Sequence, residues 1–138
     1  DARKLFEAIT NKEVALCGSF DHPKIVNTSA SPDGLIVEDN AVLELKCPTH
    51  ATHAKNLMSD TMPKNYIYQV QWQIACTSSD YAYFASYHPD YPKDLRLKWV
   101  KVERDDEVIK SLEEAVKQFD IEIEDLIIKI QDGGNKNG

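Results

Sequence analysis

Two short strings between residues 31 and 48 constrain the chain more than any other feature: Ser31-Pro32-Asp33-Gly34-Leu35, then Leu43-Glu44-Leu45-Lys46-Cys47-Pro48. In an extended strand alternate side chains share a face, so Leu43 and Leu45 enter one layer while Glu44 and Lys46 point together into the other. The apolar run Leu35-Ile36-Val37 reads as the preceding strand, joined to the next by the turn-prone Glu38-Asp39-Asn40. Such a hairpin brings Asp33 beside Glu44. A half-buried strand with a solvated polar face has the same pattern, and Asp-Gly after Pro is also an ordinary turn signal. Read together, however, two carboxylates and a lysine are the groups needed to hold a divalent metal against a phosphodiester and to prepare a water for attack.

A third element follows at Pro63-Lys64-Asn65-Tyr66-Ile67-Tyr68-Gln69-Val70-Gln71-Trp72-Gln73-Ile74-Ala75-Cys76. Ile67, Val70 and Ile74 fall at helical spacing and form a core stripe. Tyr66, Gln69 and Gln73 form a neighbouring stripe that is polar but uncharged. A solvent face usually carries Lys and Glu; amides and a phenol suit the wall of a site, or a polar face packed against another segment.

These residues resemble the core of the phage lambda exonuclease family, also called YqaJ-type viral recombinase nucleases, within the PD-(D/E)xK nuclease superfamily. The likeness rests on Ser-Pro-Asp-Gly-Leu, Leu-Glu-Leu-Lys-Cys-Pro and Gln69-Val70-Gln71 in that order, and continues through the strand at 81–87 and the segment 100–105. It implies an α/β, restriction-endonuclease-like core: a central mixed β-sheet flanked by helices, with a long C-terminal helix. It also implies that Asp33, Glu44 and the backbone carbonyl of Leu45 ligate Mg²⁺ or Mn²⁺, as one ion or two, and that Lys46 orients or deprotonates the attacking water. Gln69 matches the glutamine that positions that water or the scissile phosphate; Tyr66 and Gln73 are candidates for positioning substrate.

The implied activity is digestion of linear double-stranded DNA from the 5′ end, leaving 3′ single-stranded overhangs for recombination. The implied partners are DNA ends, two further copies in a ring-shaped homotrimer, and a single-strand annealing recombinase, in the cytoplasm of a bacterium carrying a phage or prophage. In this family a further acidic residue lies just upstream of an Asp-Ala-Arg segment, and an earlier arginine captures the DNA 5′ phosphate. Neither is among these 138 residues, so the chain is expected to be a fragment, incomplete for catalysis by itself. The sequence is expected to begin inside a helix without a cap, with Glu7 on its surface. Other readings are a RecB-like or Cas4-like nuclease, whose Gln-x-x-x-Tyr pattern fails here because Gln73 stands four after Gln69, and a nonenzymatic DNA-binding or assembly module.

The rest of the chain fits one domain over residues 1–132 followed by a flexible tail at 133–138. With 138 residues and 42% hydrophobic content it can bury one core, and no stretch suits a bilayer span. Cys17, Cys47 and Cys76 are odd in number and unpaired by motif, which fits reduced thiols rather than disulfides or zinc. The net charge of −7 argues against a generic DNA-coating protein. Much of the acidity lies between Asp105 and Asp125, however, while lysines gather around Lys46, Lys55 and Lys64 and again at Lys93, Lys98 and Lys101. His50 and His53 read as surface imidazoles. Asp105 or Asp106 can cap the final helix, whose stripe through Val108, Leu112, Val116, Phe119, Ile123, Leu126 and Ile130 is expected to be mostly core; Ile121 and Ile128 widen it toward a subunit interface.

Overall fold

The strand Leu-Glu-Leu-Lys lies at the centre of the molecule. A computed structural model, describing residues 1–137, has a five-stranded sheet in the order β1 (Val14–Ala15), β4 (Gly34–Ile36), β5 (Ala41–Lys46), β6 (Tyr81–Tyr87), β7 (Leu97–Glu103). All neighbours are antiparallel except β5 and β6, which run parallel with Lys46 opposite Ser86. A parallel pair needs a long crossover. Here that crossover contains α2 (His50–Leu57), a 3₁₀ turn (Lys64–Tyr66) and α3 (Ile67–Thr77). A two-stranded ribbon, β2 (Phe20–Asp21) with β3 (Ser29–Ala30), lies against α3. The chain opens with α1 (Ala2–Thr10) and closes with α4 (Asp106–Asn137). The mixed sheet, flanking helices and long C-terminal helix are those expected.

Alternation along β5 divides the core. Leu43 packs with Phe6, Val14, Ile36, Ala85 and Leu97 on the α1 face, while Val42 packs with Val70, Ile74, Ala82, Phe84 and Ile109 on the α3 and α4 face. Glu44 shares the second face with Val42. One strand thus holds two apolar layers together and turns a carboxylate toward α3.

Gly34 looks like a turn residue in the sequence, but its role is close packing. A Cβ there would collide with Val14 Cγ1 and lie 3.3 Å from the Ala15 carbonyl oxygen, so β1 reaches β4 only because position 34 carries no side chain. Two expectations for the first helix are corrected. Asp1 caps α1, its carboxylate accepting from the Lys4 N–H at 3.3 Å. Glu7 is no free surface residue: it accepts from the Val14 N–H at 3.1 Å and pairs with Arg3, tying α1 to β1.

Three further expectations are corrected. His53 is fully buried, its Nδ1 2.8 Å from Ser86 Oγ and its Nε2 2.8 Å from the Leu95 carbonyl oxygen. A carbonyl only accepts, so Nε2 donates to Leu95, and with Nδ1 on the serine hydroxyl both ring nitrogens are paired. In α4, Asp105 provides the cap through the N–H groups of Glu107 and Val108, and Ile109 is buried. Beyond Val116 the apolar stripe is solvent-facing: Phe119, Ile123, Leu126 and Ile130 are all exposed, as are Ile121 and Ile128. The cause is length. A helix of 32 residues spans about 48 Å, whereas a seven-residue strand spans about 23 Å, so α4 overshoots the sheet that covers its first turns. The helix also continues through Gly133 and Gly134, where a tail was expected; Gly138 lies outside the described residues.

Gly34→Ala should therefore destabilise the protein by about 1–3 kcal/mol, the usual cost of overpacking. Denaturant unfolding against the unsubstituted protein checks this; an unchanged midpoint would show that β1 is free to move.

Candidate active site

The hairpin and the crossover helix bring the predicted residues together around Glu44. This side chain is 4% exposed, and both of its oxygens are engaged. Gln73 Nε2 donates to Oε2 at 2.8 Å, and Gln69 Nε2, one helical turn earlier on α3, donates to Oε1 at 3.1 Å. Lys46 Nζ stands 3.0 Å from Oε1 and donates to Gln69 Oε1 at 3.4 Å. Its ammonium also lies 4.8 Å from the centroid of the Tyr66 ring, which packs on Phe84.

Asp33 approaches from the other strand. Its N–H donates to the Leu43 carbonyl at 3.1 Å, and its Oδ2 accepts from the Leu45 N–H at 2.7 Å. The aspartate side chain thus extends the β4–β5 ladder one step past the end of β4. A residue's N–H and C=O point to the same edge of a strand. The Leu45 carbonyl therefore faces the edge on which the Asp33 carboxylate lies. Asp33 itself is exposed, so the cluster has a buried member and an open one.

Burial pushes the Glu44 carboxyl above its ordinary range, and the nearby Asp33 charge adds to the shift; the Gln73 hydrogen bond and Lys46 oppose it. Two carboxylates held this close favour a bound cation. Their oxygens and the Leu45 carbonyl are hard donors suited to Mg²⁺ or Mn²⁺, which keep part of their water shell. Among the described residues no group of three or more His, Cys, Asp or Glu is placed to hold a metal ion, so the donor set here is two carboxylates and a carbonyl.

The three glutamines of α3 look alike in sequence but separate in space. Gln71 leaves the cluster: its Nε2 donates to the Glu103 carbonyl and its Oε1 accepts from the Asp105 N–H, both at 2.9 Å, fixing the turn from β7 into α4. Two residues along a helix rotate a side chain to another face, the one signal in the sequence that separates Gln71 from Gln69 and Gln73. The deep burial of Gln73 was not legible, nor was its oxygen: Oε1 is buried and, among the described residues, unpaired.

Comparison with known proteins gives this cluster a context. The family model described as a YqaJ-like viral recombinase domain matches residues 1–80. The uncharacterized protein YqaJ of Bacillus subtilis (strain 168) is 33% identical over 100 residues, covering 71% of this chain but 30% of that protein, so the chain spans less than a third of that relative's length. The crystal structure of an alkaline exonuclease (LHK-Exo) from Laribacter hongkongensis superposes with a TM-score of 0.93 at 34% identity, covering 99% of this chain and 70% of that one. A phage related exonuclease from Haemophilus somnus 129PT shares the fold, with a TM-score of 0.64 at 16% identity, over 84% of this chain and 62% of that one. The match over more than half of its length and the 34% identity to LHK-Exo show that this chain belongs to the YqaJ-like viral recombinase family, within the phage lambda exonuclease group.

Proposed function

We propose that this chain is the nuclease core of a metal-dependent, phage-type exonuclease that hydrolyses linear double-stranded DNA, from 5′ to 3′, and leaves 3′ single-stranded overhangs. The observation that carries the reading is the convergence of Asp33, Glu44, Lys46 and Gln69 at one end of β5, in a chain 34% identical to an alkaline exonuclease over 99% of its length. A structure of that same exonuclease in complex with dAMP superposes with a TM-score of 0.92, which supports a nucleotide-bearing substrate.

Hydrolysis requires a water oxygen to form a bond to phosphorus in line with the departing 3′ oxygen. Lys46 is the group placed to orient that water, and as the neutral amine to receive its proton, because its Nζ is held between Glu44, Gln69 and the face of Tyr66. Gln69 bridges base and carboxylate, donating to Glu44 while accepting from Lys46, so neither can swing without breaking an amide contact. Gln73 holds the second Glu44 oxygen from the buried side. Mg²⁺ or Mn²⁺, as one ion or two on Asp33, Glu44 and the Leu45 carbonyl, would supply the positive charge that neutralises the phosphodiester and stabilises the attacking and leaving oxygens.

The exposed apolar stretch of α4 beyond Val116 supports an interface with further copies; the proposed assembly is a homotrimer around the DNA, with an annealing recombinase to receive the product strand in the bacterial cytoplasm. Among the described residues no helix is long and apolar enough to cross a membrane. A nonenzymatic DNA-binding or assembly module is the second reading, favoured by a donor set of only two carboxylates and one carbonyl among the described residues.

On the full-length protein with Mg²⁺, 5′-phosphorylated linear duplex should be degraded while closed circles survive; equal cutting of circles would exclude an end-dependent enzyme. Lys46→Ala should reduce turnover by roughly 10²–10⁴-fold with metal binding largely retained. Glu44→Gln should abolish cleavage yet raise the thermal midpoint of the metal-free protein near pH 8. The raised carboxyl makes charged Glu44 a burden on folding that is absent below its unfolded value and sets in as pH rises through its folded one, so the gain should vanish near pH 4. A gain of equal size at both pH values would show that burial of the charge is not its source.

A further inference from the structure

A cavity of about 380 Å³ opens between the end of α2 and the segment leading into α3, and it shares a wall with the Glu44 cluster: Tyr66, whose ring lies beneath the Lys46 ammonium, also lines it. Its other walls include Lys55, Lys64, Asn56, Asn65 and Thr61, and among the described residues no carboxylate contributes to the lining. In a chain of net charge −7 this is an electropositive recess beside two acidic residues. Lys55 and Lys64 are exposed and take part in none of the ion pairs among the described residues. The nearest acid in sequence, Asp60, faces Lys98 instead, at 3.7 Å. Two unpaired ammonium groups, side-chain amides and a hydroxyl suit a phosphate and its sugar, and an aromatic wall suits a base.

We propose that this cavity holds the sugar-phosphate of a nucleotide adjoining the scissile bond, with Lys55 and Lys64 neutralising backbone phosphates and Tyr66 dividing this subsite from the reacting centre. The inference deepens the nuclease reading and rests on it for the identity of the polymer as DNA. The direction of charge follows from the layout. Asp33 and Glu44 repel a polyanion until they are neutralised, and the lysine-lined cavity attracts the neighbouring backbone and holds it in register.

The test is equilibrium binding of a short fluorescein-labelled duplex to the full-length protein across a salt series, with Lys46→Ala in every variant so that no strand is cut. Lys55→Ser with Lys64→Ser should weaken binding about tenfold at physiological salt and flatten the slope of log affinity against log salt by about one to two, the loss of two phosphate contacts. Asn65→Asp, which places a carboxylate in the cavity while both lysines remain, should weaken binding without altering thermal stability. The control pair Lys110→Ser with Lys117→Ser, on α4, removes the same charge elsewhere and should leave the slope unchanged. Unaltered affinity and slope in the Lys55 and Lys64 pair would overturn the proposal, as would an equal loss in the control or no duplex binding by the parent. Cleavage by the protein with Lys46 intact is scored separately. If it is absent while binding depends on Lys55 and Lys64, the hydrolytic reading fails and the backbone subsite stands.

Discussion

The buried carboxylate of Glu44 is the interaction on which the rest of the structure depends. It projects from the central strand into the layer between β5 and α3, where an unpaired charge would be costly, and it is tolerated because Gln73, Gln69 and Lys46 share its two oxygens. Those contacts in turn fix the rotation of α3 about its axis. With Gln69 and Gln73 turned to Glu44, Val70 and Ile74 face the sheet and Gln71 reaches the β7–α4 turn. The same helix face that fills the core therefore sets the geometry of the polar cluster.

The cluster conflicts with stability. The Glu44 carboxyl is pushed toward its neutral form by burial and by Asp33, and Gln73 holds it at the expense of a buried Oε1 that is unpaired among the described residues. Apolar residues at both positions together would suit the core better. Groups that cost folding free energy and converge with a lysine on one site are the pattern on which the proposed hydrolysis rests.

Much of this was legible in the sequence. The hairpin, the division of Leu43 from Glu44 and the helix carrying Gln69 and Gln73 follow from period and turn chemistry, and the strand at 81–87 was expected from the resemblance. His53 was misread because the groups that bury it, Ser86 Oγ and the Leu95 carbonyl, come from strand and turn residues more than 30 positions away. The α4 stripe was misread for a different reason: a heptad-like pattern reports that a helix has an apolar face, but not how far the sheet beneath it extends. Gly34 has no positive φ to explain it; only the approach of Val14 shows why it cannot carry a side chain.

By itself the sequence determined the order of the elements, the two faces of β5 and the kinds of group available at the site, because these depend on local period and on side-chain chemistry. Tertiary structure decided which groups meet. It placed Asp33 Oδ2 on the Leu45 N–H, turned Gln73 inward and Gln71 away, left half of α4 uncovered, and set a lysine-lined cavity against Tyr66. The physical reason is that helix rotation, strand register and element length are fixed only when the layers pack, and a difference of one residue in any of them sends a side chain to another face.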